Sequence, residues 1–74
     1  MIVFIKLLDR SLYKLETDDN YTISYLKIQI QETLKIHKDA QRLIFNGYTL
    51  LDENTLKQYH ISDKSTIFLL LQMI

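Results

Sequence analysis

Seventy-four residues of zero formal net charge, 47% apolar and 24% charged, describe one small globular domain and exclude a disordered or low-complexity chain. With no cysteine there is no disulfide framework, and two histidines without thiol partners give no zinc site. Balanced charge argues against the positive field of a sequence-independent nucleic-acid binder, and no basic amphipathic stretch points to a membrane surface. The opening MIVFIKLLDRSLY is apolar, but Lys6, Asp9 and Arg10 interrupt it and no small-residue cleavage site follows, so a cytoplasmic or nuclear protein is expected.

In chain order, residues 1–8 and 12–17 are rich in β-formers and read as a first hairpin around Asp9-Arg10. Thr22 is a helix N-cap after Asp18-Asp19. Ile23, Leu26, Ile30 and Leu34 then recur at helical spacing over about three turns. Asn46-Gly47 is the strongest local signal, because a two-residue primed turn needs positive φ at both positions, and Gly47 is the only glycine. It joins strands at 43–45 and 48–50. Residues 56–59 read as a short helical turn, and 66–71 as a β-branched and leucine-rich closing strand. One helix between two hairpins must cover one face of a mixed sheet, which makes an α+β roll with no second domain or repeat.

The run Gln41-Arg42-Leu43-Ile44-Phe45, with Gly47, Leu50, Asp52, Thr55-Leu56, Tyr59 and Ile61, resembles the ubiquitin family. The likeness continues without a gap from Met1 to Met73 through Phe4, Lys6, Leu15-Glu16, Thr22-Ile23, Lys27, Ile30-Gln31, Ser65-Thr66 and Leu69. It implies the β-grasp fold, a mixed five-stranded sheet with one main helix. It also implies an ion pair between Lys27 and Asp52, a packing device rather than chemistry. Two departures affect the backbone. Arg10 stands where the family pattern has a glycine, so that turn must be rebuilt or accept left-handed strain of ~1 kcal/mol, and a more mobile turn is expected. His37 and Lys38 replace two prolines, which frees the helix end to fray or run longer.

Strand alternation supplies the functional clue. If Val3, Ile5, Leu15, Leu43, Ile67 and Leu69 face the helix, then Ile44, Phe68 and Leu70 point away from it, and Leu8 can fold over them. Four large apolar side chains rimmed by Arg42, Lys6 and Gly47 mark a partner site rather than scattered exposure. By resemblance, the positions of Leu8, Arg42, Ile44, Gly47, Phe68 and Leu70 form the face on which ubiquitin-interacting helices, small helical ubiquitin-binding domains and proteasomal receptors dock. Phe68 replaces a histidine of the family pattern, removing a titratable group and adding aromatic area. A second outward set, Ile2, Phe4 and Leu12, suits a second partner site and a self-contact equally, so a monomer or a weak homo-dimer is expected. Ile36, Leu71 and Met73 form a third strip, which recognises partners by resemblance or simply packs together.

No catalytic constellation, metal site or cofactor is expected. His37 and His60 fall in different loops, and the carboxylates are dispersed. By resemblance, Tyr59 hydrogen-bonds loop backbone and reads as a staple rather than a catalytic phenol, in keeping with the need of a buried phenol for a partner. The ending Leu71-Gln72-Met73-Ile74 lacks the Gly-Gly that the family's covalent modifiers thread into their enzymes. Of the lysines that form chains in the family, only Lys6 and Lys27 remain. The expectation is therefore a non-conjugated ubiquitin-like domain, the N-terminal part of a larger protein. The alternative is a modifier whose Gly-Gly tail lies past Ile74.

Overall fold

The computed structural model describes residues 1–73. Strands β1 (Ile2–Lys6) and β2 (Leu12–Glu16) form the first hairpin, and helix α1 (Ile23–Leu34) follows. A short 3-10 turn (Lys38–Ala40) leads into β3 (Gln41–Phe45) and β4 (Tyr48–Thr49). A second 3-10 turn (Lys57–Tyr59) precedes β5 (Ser65–Leu71). The strands lie in the order β2-β1-β5-β3-β4, with β1 and β5 parallel at the centre and every other pairing antiparallel. This is the ubiquitin-like β-grasp α+β roll.

The helix forms where its cap and its periodicity agree. The Thr22 hydroxyl accepts from the Tyr25 N–H at 3.1 Å. The next amides, Ile23 and Ser24, donate to the Asn54 and Asp52 carbonyls at 2.8 and 3.1 Å, so the loop after β4 satisfies groups that a helix start leaves unpaired. Ile23, Leu26 and Ile30 meet Val3, Ile5, Leu43, Ile67 and Leu69 in a core where each is at most 1% exposed, while Leu50, Leu56 and Ile61 close its end. Leu15, on the edge strand, is only partly buried against that core.

The helix neither frays nor lengthens, contrary to the expectation from the missing prolines. Lys35 adopts a left-handed conformation, φ 60°, and its N–H bonds back to the Gln31 carbonyl. The Gln31 side chain then accepts from the Lys38 N–H at 2.8 Å, which starts the unforeseen 3-10 turn. Behind it, Gln41 is fully buried. Its amide donates to the Lys27 and Ile36 carbonyls, both at 2.9 Å, and ties the helix end to β3. Its own carbonyl oxygen is buried without a partner.

Both hairpin turns use left-handed residues, by different means. Asn46 (φ 54°) and Gly47 (φ 83°) make the expected two-residue turn between the paired Phe45 and Tyr48. In the first turn Arg10 takes φ 71° despite its side chain. Leu7 and Ser11 close the loop with a 3.0 Å main-chain bond, and the Asp9 carboxylate accepts from the Ser11 hydroxyl and N–H at 2.6 and 2.9 Å.

Candidate functional site

The sheet has one covered face and one open face, and pairing register fixes what the open face presents. Directly paired residues project to the same side. Lys6 pairs with Phe68 and Phe68 with Ile44, while Leu12 lies across from Lys6 and Thr49 across from Ile44. One row therefore crosses all five strands as Leu12, Lys6, Phe68, Ile44, Thr49. The adjacent row holds Leu70 opposite Arg42.

Phe68 is the centre of this arrangement and is 46% exposed, with half-buried Ile44 and Leu70 beside it. Leu8 projects from the first turn at 83% exposure, and a depression lined by Lys6, Leu7, Leu8, Arg10, Phe68 and Leu70 runs beneath that turn. The Lys6 ammonium stands 6.0 Å from the Phe68 ring centroid, at the outer limit of a cation–π contact. The Arg42 guanidinium donates to the Thr49 hydroxyl at 3.3 Å, so it lies along the sheet beside the apolar row. Gly47 is exposed at the tip of the β3–β4 hairpin, and a Cβ there would meet nothing within 4 Å. Its contribution to this surface is backbone, held open by the turn.

The structure thus brings Leu8, Ile44, Phe68, Leu70, Arg42 and Lys6 onto one face. Thr49 belongs with them and was missed. Counting outward from Asn46-Gly47 places it opposite Ile44, so the signal was present in the hairpin arithmetic. The second set is also on this face but is divided. Ile2 and Phe4 are half-buried on β1, opposite Glu16 and Lys14, whereas exposed Leu12 sits opposite Lys6. The third strip does not close on itself into a sealed cluster: Ile36 packs at the margin of the core, while Leu71 is 63% exposed and Met73 fully so.

The structural assignments outside the face take the expected form. Lys27 and Asp52 pair at 2.7 Å with side chains 14% and 60% exposed, so water reaches the carboxylate and keeps the bond a modest one. The Tyr59 hydroxyl accepts from the Leu51 N–H at 2.8 Å and from the Asn54 amide at 3.1 Å, holding the loop that caps α1. At the first turn, hydrogen bonds from the Ser11 side chain, then from its N–H, hold the Asp9 carboxyl below its ordinary value of 3.8. Among the described residues no group of three or more His, Asp or Glu could hold a metal ion, and no helix is long and apolar enough to cross a membrane.

A β-grasp roll of this strand order, with Ile44, Phe68 and Leu70 on its uncovered side, is the architecture of a ubiquitin-like module. Residues 3–74 match the Ubiquitin family, and the chain belongs to that family. It is similar to the ubiquitin-like domain-containing protein CIP73 of Lotus japonicus, 35% identical over 65 residues, which cover 88% of this chain and 9% of that protein. It is also similar to ubiquitin-like protein 1 of Schizosaccharomyces pombe, 29% identical over 99% of this chain and 94% of the relative. The UV excision repair protein RAD23 homolog of Dictyostelium discoideum is 32% identical over 97% of this chain and 21% of its own length. The chain thus spans a small part of two of these relatives and nearly all of the third.

Proposed function

We propose that this chain is a non-catalytic protein-interaction module that docks through Leu8, Ile44, Phe68 and Leu70, with Lys6, Arg42 and the Gly47 backbone at the rim, onto receptors carrying ubiquitin-binding helices or domains. The observation that carries this reading is the position of Phe68, an exposed aromatic flanked by Ile44 and Leu70 on the sheet face that α1 leaves uncovered. A partner helix laying an i, i+4 apolar stripe on that face would use the helix-in-groove mode. Contacts of this size give micromolar affinity, about −8 kcal/mol or weaker. Family membership and the RAD23 relative support a role in the ubiquitin–proteasome pathway; the reading extends to proteasomal receptors as partners and to the cytoplasm or nucleus as the place of action. The partial coverage of the CIP73 and RAD23 relatives supports an embedded domain that recruits its carrier to such receptors.

The test is a calorimetric titration with a ubiquitin-interacting helix peptide. Wild type should bind, and Ile44→Ala should lose about 1–2 kcal/mol of affinity while keeping the fold. Absence of binding, or equal affinity of wild type, Ile44→Ala and Phe68→Ala, would count against the assignment. A covalent modifier is the second reading, favoured by the fission yeast relative of nearly this length. It requires a Gly-Gly tail after Ile74, and incubating the natural C-terminus with a ubiquitin-type activating enzyme would reveal a thioester.

A further inference from the structure

The sheet has two edges of unequal capacity. β4 is two residues long, whereas β2 presents five, nearly all exposed. Its hydrogen-bonding direction follows from the hairpin. Thr17 and Met1 exchange both main-chain bonds at 2.9 Å, and the Leu7 N–H donates to the Ser11 carbonyl. The odd-numbered residues of β2 therefore aim their main-chain groups at β1, and alternation turns those of Leu12, Lys14 and Glu16 outward. The Glu16 carbonyl already accepts from the Gln29 amide at 3.1 Å but keeps a second lone pair. The other outward groups have no strand beside them.

A lysine in the middle of an edge strand ordinarily keeps a second strand away. Here one arrangement turns that deterrent into an attraction. Two copies can join β2 to β2 antiparallel about a two-fold axis with outward-pointing rows facing each other. An axis through Tyr13 sets Leu12 against Lys14, and an axis through Lys14 sets that lysine against itself. An axis through Leu15 sets Lys14 against Glu16, and symmetry repeats the pair. On the open face Phe4 is the neighbour of Lys14 and Ile2 the neighbour of Glu16 within each chain. Each ion pair would then lie between a phenylalanine of one copy and an isoleucine of the other, which also gives the half-exposed Ile2 and Phe4 a covering.

We propose that β2 is a self-association edge, pairing with a second copy of this chain in the register that opposes Lys14 and Glu16. This contact is separate from the Phe68 face, and its success or failure leaves the receptor-docking reading where it stands. A short edge contact of this kind is weak, with a dissociation constant of about 0.1–1 mM. The test is sedimentation of the 74-residue chain up to about 1 mM, with Lys14→Glu, Glu16→Lys and the double exchange. Wild type should dimerise. Each single variant should weaken association about tenfold or more, and the double exchange should recover it, because opposite charges again face each other. Both positions are exposed, and circular dichroism checks that the fold persists. The proposal is overturned by a chain that stays monomeric, including one whose Leu12 and Lys14 amides become protected only when a receptor is added. A dimer indifferent to Lys14→Glu, or one that the double exchange fails to restore, overturns it equally.

Discussion

Leu43 and Ile44 are consecutive residues of one strand, and the sheet puts them to opposite uses. Leu43 is fully buried beneath α1, while Ile44 lies half-exposed beside Phe68 on the side that nothing covers; Ile67, Phe68 and Leu69 repeat the alternation on β5. On these two strands Ile44, Phe68 and Leu70 are as apolar as Leu43, Ile67 and Leu69, so the hydrophobicity of a residue alone does not say which side holds the fold together. What separates them is the helix. The difference teaches that an apolar residue here contributes stability only with a second layer above it, and otherwise remains available to another molecule.

The sharpest way to break that comparison is to truncate the two neighbours separately. Leu43→Ala should cost about 2–5 kcal/mol of stability in urea unfolding, because it opens a cavity in a small core. Ile44→Ala should cost about 1 kcal/mol or less of stability while weakening receptor binding. Equal stability losses would erase the distinction between the faces. Tyr59→Phe comes next and asks whether the helix layer depends on its loop. Losing the acceptor for Leu51 and Asn54 should cost about 1–2 kcal/mol and leave peptide affinity unchanged, measured by paired unfolding and titration.

Arg10→Gly tests the strained turn that carries Leu8. Relief of a left-handed non-glycine residue, offset by glycine's freedom in the unfolded chain, should raise the midpoint of unfolding by a net gain of about 0.5–1 kcal/mol. The smallest effect is electrostatic. The Asp9 carboxyl titrates below 3.8 because Ser11 bonds to its charged form, so its contribution to that turn is complete above 3.8 and fades as pH falls through the lowered value. Ser11→Ala should move the Asp9 titration upward toward 3.8 in a carbon-detected NMR experiment, and an unmoved titration would remove the Ser11 hydroxyl as the leading cause.

The parts of this fold most legible in the sequence are those set by local chemistry. Asn46-Gly47 declared its turn because few residues tolerate positive φ, and Thr22 declared its cap because its hydroxyl replaces a missing helical acceptor. Face parity correctly put Ile44, Phe68 and Leu70 on the open side. The remainder depended on side chains acting at a distance. Gln41 was visible as a family match, but nothing local says that a glutamine in a strand will be buried to bind the helix's last turns. The sharp stop at Lys35 and the 3-10 turn after it follow from bonds to Gln31, which no propensity encodes. The row joining Leu12 and Lys6 to Phe68 was likewise hidden, because it exists only through the parallel pairing of β1 with β5, whose partners, Lys6 and Phe68 among them, lie 62 residues apart in the chain.

That parallel pairing also sets a schedule for biosynthesis. The first strand to leave the ribosome finds its central neighbour only when the last strand has emerged, since β1 lies between β2 and β5 and cannot complete its ladder earlier. Leu8 follows β1 whereas Phe68 and Leu70 lie on β5, so the open face around Phe68 is assembled only after β5 has joined the sheet. Docking through that face, as proposed, would therefore wait on a fully formed domain, a form of quality control inherent in the strand order.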